Sequence, residues 1–224
     1  MEPPLVIFDC DGVLIDSELL AIRVEVALLA EEGIVITAED ILECYVGISM
    51  AGMIADLEDR FGRKLRSDFA ERHARQLRAL FAAELRPVAG AAAVIDGLAA
   101  RRCVASSSSP ERLRYALGLV GLYDRFDPHI FSATMVARGK PAPDLFLYAA
   151  AQLGADPART IVIEDSAPGI AAAVAAGMTA IGFTGASHCR AGHAARLYAQ
   201  GAAAVVADMQ ALPAMLAVVS QRLR

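Results

Sequence analysis

The chain has 224 residues, 56% of them hydrophobic and 21% charged, with a formal net charge of −5. That balance excludes a disordered chain and gives a globule able to bury an apolar core without disulfides. With no basic run or stripe, there is no electrostatic footprint for nucleic acid.

The opening Met1-Glu2-Pro3-Pro4 has no positively charged signal region and runs straight into Leu5-Val6-Ile7-Phe8. This short, continuous apolar run with β-branched members predicts a strand buried on both faces of a parallel sheet. Asp9-Cys10-Asp11-Gly12 follows it. In an extended chain side chains alternate, so Asp9 and Asp11 point one way and Cys10 the other. Two such carboxylates repel unless a cation lies between them or one is protonated. Ligand sites in open α/β sheets lie at this carboxyl end of the strands. A pair of Asp at a strand end is also an ordinary turn cap, so the pair alone does not decide.

From 16 to 85 there is helical periodicity and no strand. Helices are predicted over 17–32, 37–45, 49–61 and 67–85, opened by Ser17, Thr37, Ser49 and Ser67, residues suited to an N-cap. Gly33 stops the first helix and Pro87 ends the last. Four helices inserted after the first strand predict a helical cap domain at 16–85, with the catalytic core formed by 1–15 and 86–224.

Strand and helix then alternate. A helix over 91–100 leads to the strand Cys103-Val104-Ala105, and Ser106-Ser107-Ser108-Ser109-Pro110 opens a helix over 110–120. Hydroxyls and free N–H groups there make a phosphate cradle, although serines before a helix are commonly plain caps. In Gly139-Lys140-Pro141-Ala142-Pro143-Asp144 the lysine would ordinarily be solvated, but the flanking prolines stiffen the backbone and aim its ammonium. A fixed positive charge beside clustered carboxylates would offset their repulsion and hold a phosphate.

After a helix over 144–153, the apolar run 160–163 ends in Glu164-Asp165-Ser166. Acids at the ends of two strands could converge on one divalent ion, and oxygen-only ligation suits Mg²⁺. Asp or Ser before Pro168 would equally cap the helix over 168–176. A strand over 179–183, a helix over 191–199, a strand over 204–207 and a helix over 209–219 complete the chain. The uncharged stretch 169–186 is interrupted by Gly177, Thr179, Gly182 and Thr184, so it reads as helix, turn and strand and not as a membrane span. The fold class is therefore α/β: a doubly wound, Rossmann-like parallel sheet with an inserted four-helix cap. Cys10, Cys44, Cys103 and Cys189 form no C-x-x-C pair, which predicts reduced thiols in a cytoplasmic protein.

Four segments in this order resemble the haloacid dehalogenase-like hydrolase superfamily, in its branch of phosphatases and β-phosphoglucomutase-like enzymes with a helical cap. Phe8-Asp9-Cys10-Asp11-Gly12-Val13-Leu14-Ile15-Asp16-Ser17-Glu18 is similar to the first motif, Val104-Ala105-Ser106-Ser107 to the second, Gly139-Lys140-Pro141 to the third and Ile163-Glu164-Asp165-Ser166-Ala167-Pro168-Gly169 to the fourth. The resemblance covers essentially the whole chain. It implies Asp9 as nucleophile forming an aspartyl phosphate and Asp11 as acid and base. It implies Mg²⁺ held by Asp9, the carbonyl of Asp11 and Asp165, with Glu164 as an outer-shell partner or variable ligand. Ser106, the Ser107 amide and Lys140 would hold the phosphoryl oxygens. Dehalogenases of the superfamily use one acidic residue in the first motif and need no metal, so Asp11 favours phosphatase chemistry.

The resemblance thus implies a phosphatase of a small metabolite, a sugar or sugar-acid phosphate by family precedent. Mutases of the branch carry cap cations near a Gly-x-Ser segment to grip a second phosphate. Here Val46 and Met50 flank Gly47-Ile48-Ser49 instead, which disfavours the mutase alternative. A catalytically silent binding protein is the third reading, and the full set of catalytic residue types opposes it. Ser17, Glu18, Gly47, Ser49 and Met50 are the expected cap or hinge contacts. Arg60, Arg63, Lys64 and Arg66 read as a solvated helix end. No nucleic-acid or membrane partner is expected, and nothing in the sequence fixes an oligomeric state.

Overall fold

The computed structural model describes residues 4–223; Met1, Glu2 and Pro3, from which the lack of a signal region was read, lie outside them. Six parallel strands form one sheet: β1 (Leu5–Phe8), β2 (Arg102–Ser106), β3 (Ile130–Ser132), β4 (Thr160–Glu164), β5 (Thr179–Phe183) and β6 (Ala204–Val206), in the order β3-β2-β1-β4-β5-β6. This order reverses between β1 and β4, the place where open α/β sheets open a crevice at the carboxyl ends of their strands.

Side-chain alternation divides the apolar core between the two faces of the sheet. Val6 and Phe8 join one buried cluster with Val104, Ile161 and Ile163, and Leu5 and Ile7 join another with Cys103, Ala105 and Val162. The continuous apolar runs are what strands covered on both sides require. Phe8 is fully buried with an edge-on contact to Phe126 at 5.9 Å. Burial of such a side chain is worth roughly 1.5–3 kcal/mol.

Between β1 and β2 lie α1 (Glu18–Glu31), α2 (Ala38–Cys44), α3 (Met50–Phe61), α4 (Phe69–Glu84) and, back on the core, α5 (Ala91–Gly97). The inserted helices share the first cluster through Leu28, Leu57, Leu77 and Phe81. Two neighbouring strand-like links carry the chain out and back: Asp16 N–H donates to Arg86 O at 2.9 Å, and Val88 N–H to Leu14 O at 3.0 Å. The core continues with α6 (Pro110–Leu119), α7 (Asp144–Gln152), α8 (Ala167–Ala175), α9 (His193–Ala199) and α10 (Leu212–Arg222).

Three local expectations are corrected. β3 was not foreseen; its apolar pair Ile130-Phe131 lies between His129 and Ser132, whereas the equally short β6 sits in the continuous apolar run 202–207. Thr37 and Ser49 do cap α2 and α3 through their side chains, but Ser17 makes no capping bond to α1, because its hydroxyl is taken by Asp11. At α4 the N-cap is Asp68 and not Ser67. Arg60, Arg63, Lys64 and Arg66 are exposed, as expected. No described helix is long and apolar enough to cross a membrane.

Candidate active site

The carboxyl ends of β1, β2 and β4 meet beneath the inserted helices. Asp9 extends the ladder one residue past β1, its N–H donating to Ile163 O at 2.9 Å, which sets it beside the end of β4. Asp9 and Asp11 both face a cavity of about 560 Å³, also lined by Ser106, Ser107 and Lys140, whereas Cys10 turns into the apolar core. The alternation expected of the strand end is therefore present.

Lys140 is buried, and its Nζ lies 2.7 Å from Asp9 Oδ1 and 3.5 Å from Glu164 Oε1. Burial opposes its charge, but Asp9 and Glu164 outweigh that and raise its pKa. Burial also drives Asp9 well above the usual carboxylate range, reinforced by Glu164 and opposed by Lys140. Glu164 is pushed up to about 7, again by burial against the pull of Lys140.

Asp9, Glu164 and Asp165 bring one carboxylate oxygen each within 4.8 Å of one another. Glu164 Oε2 is buried and accepts no hydrogen bond. Asp165 Oδ2 is buried too, with His188 Nε2 as a neighbour at 3.1 Å. Unpartnered buried oxygens such as that of Glu164 are rare because they forfeit their solvation. Three converging carboxylates with a lysine on one flank form a donor set suited to a hard divalent cation. Ser166, next in sequence, instead caps α8 by accepting from Gly169 N at 3.1 Å and donates to Glu164 Oε1 at 2.5 Å. The cap of α8 is thus Ser166 and not Asp165.

Asp11 is held separately. Ser17 Oγ and Arg112 Nη2 both donate to its Oδ1 at 2.6 Å, and Ser108 Oγ donates to its Oδ2 at 2.7 Å. Burial opposes ionisation of Asp11, but Arg112, Ser17 and Ser108 outweigh it and hold its pKa below the usual value. Ser106 Oγ accepts from Ser108 N at 3.1 Å, and Ser109 caps α6, which leaves the serines before it free to face the cavity.

The inserted helices roof the cavity. Ser107 Oγ donates to Gly47 O at 3.0 Å. Gly47 has φ +83, and a Cβ there would meet Ser166 Oγ at 2.3 Å, so only glycine allows the approach. A reciprocal pair of cation–π contacts joins the two parts: Arg112 of α6 lies over Phe81 of α4 at 5.4 Å, and Arg78 of α4 over Tyr115 of α6 at 3.6 Å. Of the expected roof contacts, Glu18, Gly47 and Met50 line the cavity, Ser17 binds Asp11 and Ser49 caps α3.

The family model for haloacid dehalogenase-like hydrolase matches residues 3–177. The chain belongs to that family. Among this family's members, hexitol phosphatase B of Escherichia coli (strain K12) is 34% identical over 182 residues, 78% of this chain and 81% of its own. The 6-phosphogluconate phosphatase of the same organism is 29% identical over 184 residues, 82% and 83% of the two chains. A crystal structure of a conserved haloacid dehalogenase-like protein of unknown function from Agrobacterium tumefaciens str. C58 superposes with a TM-score of 0.83 at 41% identity, covering 97% and 99% of the two chains. The chain is a phosphoric monoester hydrolase of the phosphatase branch of the haloacid dehalogenase-like hydrolases.

The structure of this haloacid dehalogenase-like hydrolase sets Asp9, Asp11, Ser106, Ser107 and Lys140 on one cavity and brings Glu164 and Asp165 to Asp9, and it adds others. Arg112 sits inside an ordinary helix pattern and meets Asp11 across 101 positions. Cations Arg75 and Arg78 of α4 and Arg112 of α6 line the cavity. His188, Cys189 and His193, in the loop before α9 and at its start, bring donor atoms within 4.8 Å of one another, a grouping that no cysteine spacing could reveal.

Proposed function

We propose that this protein is a Mg²⁺-dependent phosphatase of a small phosphorylated metabolite, a sugar or sugar-acid phosphate, acting through a phosphorylated Asp9. The observation that carries the reading is the buried Asp9–Lys140 contact of 2.7 Å at the edge of a cavity, with the carboxylates of Glu164 and Asp165 converging on Asp9. The names of the hexitol and 6-phosphogluconate phosphatases support the substrate class.

Asp9, the carbonyl of Asp11 and Asp165 would hold Mg²⁺, with Glu164 as an additional or outer partner. The ion supplies positive charge against the phosphoryl oxygens when bound. An Asp9 carboxylate oxygen attacks phosphorus, the bond from phosphorus to the ester oxygen breaks, and Asp11, in the protonated form that Arg112, Ser17 and Ser108 disfavour in the resting protein, gives that oxygen a proton. The leaving alcohol departs, and Asp11 then takes a proton from a water that attacks the phosphorus of the aspartyl phosphate. Cleavage of that P–O bond returns the Asp9 carboxylate and releases inorganic phosphate. Ser106, the Ser107 amide and Lys140 hold the phosphoryl oxygens, so that most of the work is positioning and charge stabilisation. Residues 16–85 act as the cap that closes the cleft, excludes water and selects the substrate.

The test is release of free phosphate from a panel of sugar and sugar-acid phosphates, with Mg²⁺ and with chelator, for wild type and Asp9→Asn. Metal-dependent release that is lost in the variant is expected. Undiminished release by Asp9→Asn would overturn the assignment of the nucleophile. Conversion of a sugar 1-phosphate to the 6-phosphate without free phosphate would give the chain to the mutases.

A further inference from the structure

The loop that follows β5 carries two buried histidines outside all four motifs, His188 and His193, 2% and 7% exposed. Both turn on one residue. His188 Nε2 lies 3.1 Å from Asp165 Oδ2, and His193 Nε2 donates to the main-chain carbonyl of Asp165 at 2.5 Å. Arg196 donates to His193 Nδ1 at 3.1 Å, so the proton of His193 sits on Nε2 and is directed at that carbonyl. The two rings stack edge to face at 5.5 Å. A Cβ on Gly12 would fall 1.9 Å from Asp165 Oδ2 and 2.9 Å from His188 Cε1, so the first motif leaves room for this pair.

The nearby thiol of Cys189, 3.4 Å from His188 Nε2, invites the thought of a separate metal site. Both nitrogens of His193 are already committed, one to Arg196 and one to Asp165, and this directs the group toward Asp165 instead. Neither histidine lines the 560 Å³ cavity; both border a second depression, lined also by Glu39 and Arg190. The loop is itself anchored at two further points. Ser187 donates to Asp16 Oδ1 from its N–H at 3.1 Å and its hydroxyl at 2.7 Å, and Arg190 Nη1 donates to Glu39 Oε1 of α2 at 2.9 Å.

Resting on the reading of Asp165 as a metal ligand, we propose that His188 and His193 are positioning residues that fix Asp165, one by its side chain and one by its main chain, in the orientation that takes the divalent ion. A carboxylate just past a strand end has two free torsions and would lose that freedom on binding an ion. Two buried contacts remove it beforehand, as the outer partners of metal ligands do. Because the histidines lie away from the substrate cavity, they act on metal affinity and leave the binding of the phosphate ester at saturating Mg²⁺ unchanged.

The test is Mn²⁺ binding followed by electron paramagnetic resonance, with Mg²⁺ in competition, on wild type, His188→Leu, His188→Gln and His193→Gln. Thermal unfolding of the same proteins in chelator is measured alongside. We expect His188→Leu to weaken the ion's binding by about 10- to 100-fold, the usual effect of losing such a partner. His188→Gln, which keeps an N–H donor, should recover most of that affinity, and His193→Gln, which keeps one too, should stay near wild type, with KM at saturating Mg²⁺ unmoved. Wild-type affinity in a folded His188→Leu, or no recovery in His188→Gln, would overturn the proposal. Should His188→Leu not fold, His188→Asn, whose shorter amide stops short of Asp165, carries the same comparison. If the wild type neither binds the ion nor releases phosphate, the phosphatase reading itself falls, a result separate from equal binding by wild type and variant.

Discussion

The ammonium of Lys140 stands 2.7 Å from a carboxylate oxygen of Asp9, and both groups are withdrawn from water. The two come from segments 131 positions apart, and Lys140 Nζ also lies 3.5 Å from Glu164 Oε1. The contact therefore neutralises part of an acidic cluster, and on the proposed reading it holds a cation where an incoming phosphoryl group would arrive. Removing either partner has consequences for chemistry and for stability together.

Lys140→Met should lower kcat/KM for phosphate release by about 10²–10³, the usual effect of losing one charge-stabilising donor. It should also destabilise the fold at pH 7 by about 3–5 kcal/mol, because Asp9 and Glu164 are left buried and unopposed. Phosphate assays and urea unfolding check the two halves separately.

Glu164 makes the metal-free protein sensitive to pH in a particular direction. Its pKa stands at about 7 when folded, above the usual value, because burial favours the neutral form. Between the unfolded and folded values the folded state binds more protons, so stability falls as pH rises through that window. In chelator, the melting temperature should decline from about pH 5 to pH 8. Glu164→Gln should flatten the decline, and Mg²⁺ should oppose it in the wild type.

Arg112→Gln takes from Asp11 the charge that most lowers its pKa. A carboxylate with a lowered folded pKa contributes stability above its unfolded value, and that contribution disappears as pH falls through the folded one. The variant should therefore be less stable than wild type at pH 7, with the gap closing below about pH 4. Parallel denaturation curves at the two pH values decide it.

Gly47→Ala should act on closure. The added methyl would meet Ser166 Oγ at 2.3 Å in a backbone conformation that favours glycine. We expect kcat/KM to fall by about tenfold or more, as misplacement of about 1 Å commonly causes. The melting temperature should stay within a few degrees, because the clash falls between the two parts and not inside either.

The strands with continuous apolar runs were legible because burial on both faces leaves a signal in the residues themselves, and the acidic ends of β1 and β4 followed directly from them. What escaped notice depends on partners far along the chain. Arg112 looks like any solvated helix residue until Asp11 is set beside it. His188 and His193 sit in a loop of ordinary composition, and only the end of β4 gives them meaning. Ser17 reads as a helix cap by local chemistry, but a carboxylate with stronger demands takes its hydroxyl. β3 offers only the apolar pair Ile130-Phe131 between polar neighbours, where the equally short β6 lies in a longer apolar run.

The links at Leu14–Asp16 and Arg86–Val88 run side by side and are bonded to each other, so the roof leaves and re-enters the core through one narrow doorway. On the reading proposed for residues 16–85, α1–α4 form a cassette whose reshaping would fit a new leaving alcohol, while the core strands, the acidic cluster and Lys140 stay as they are.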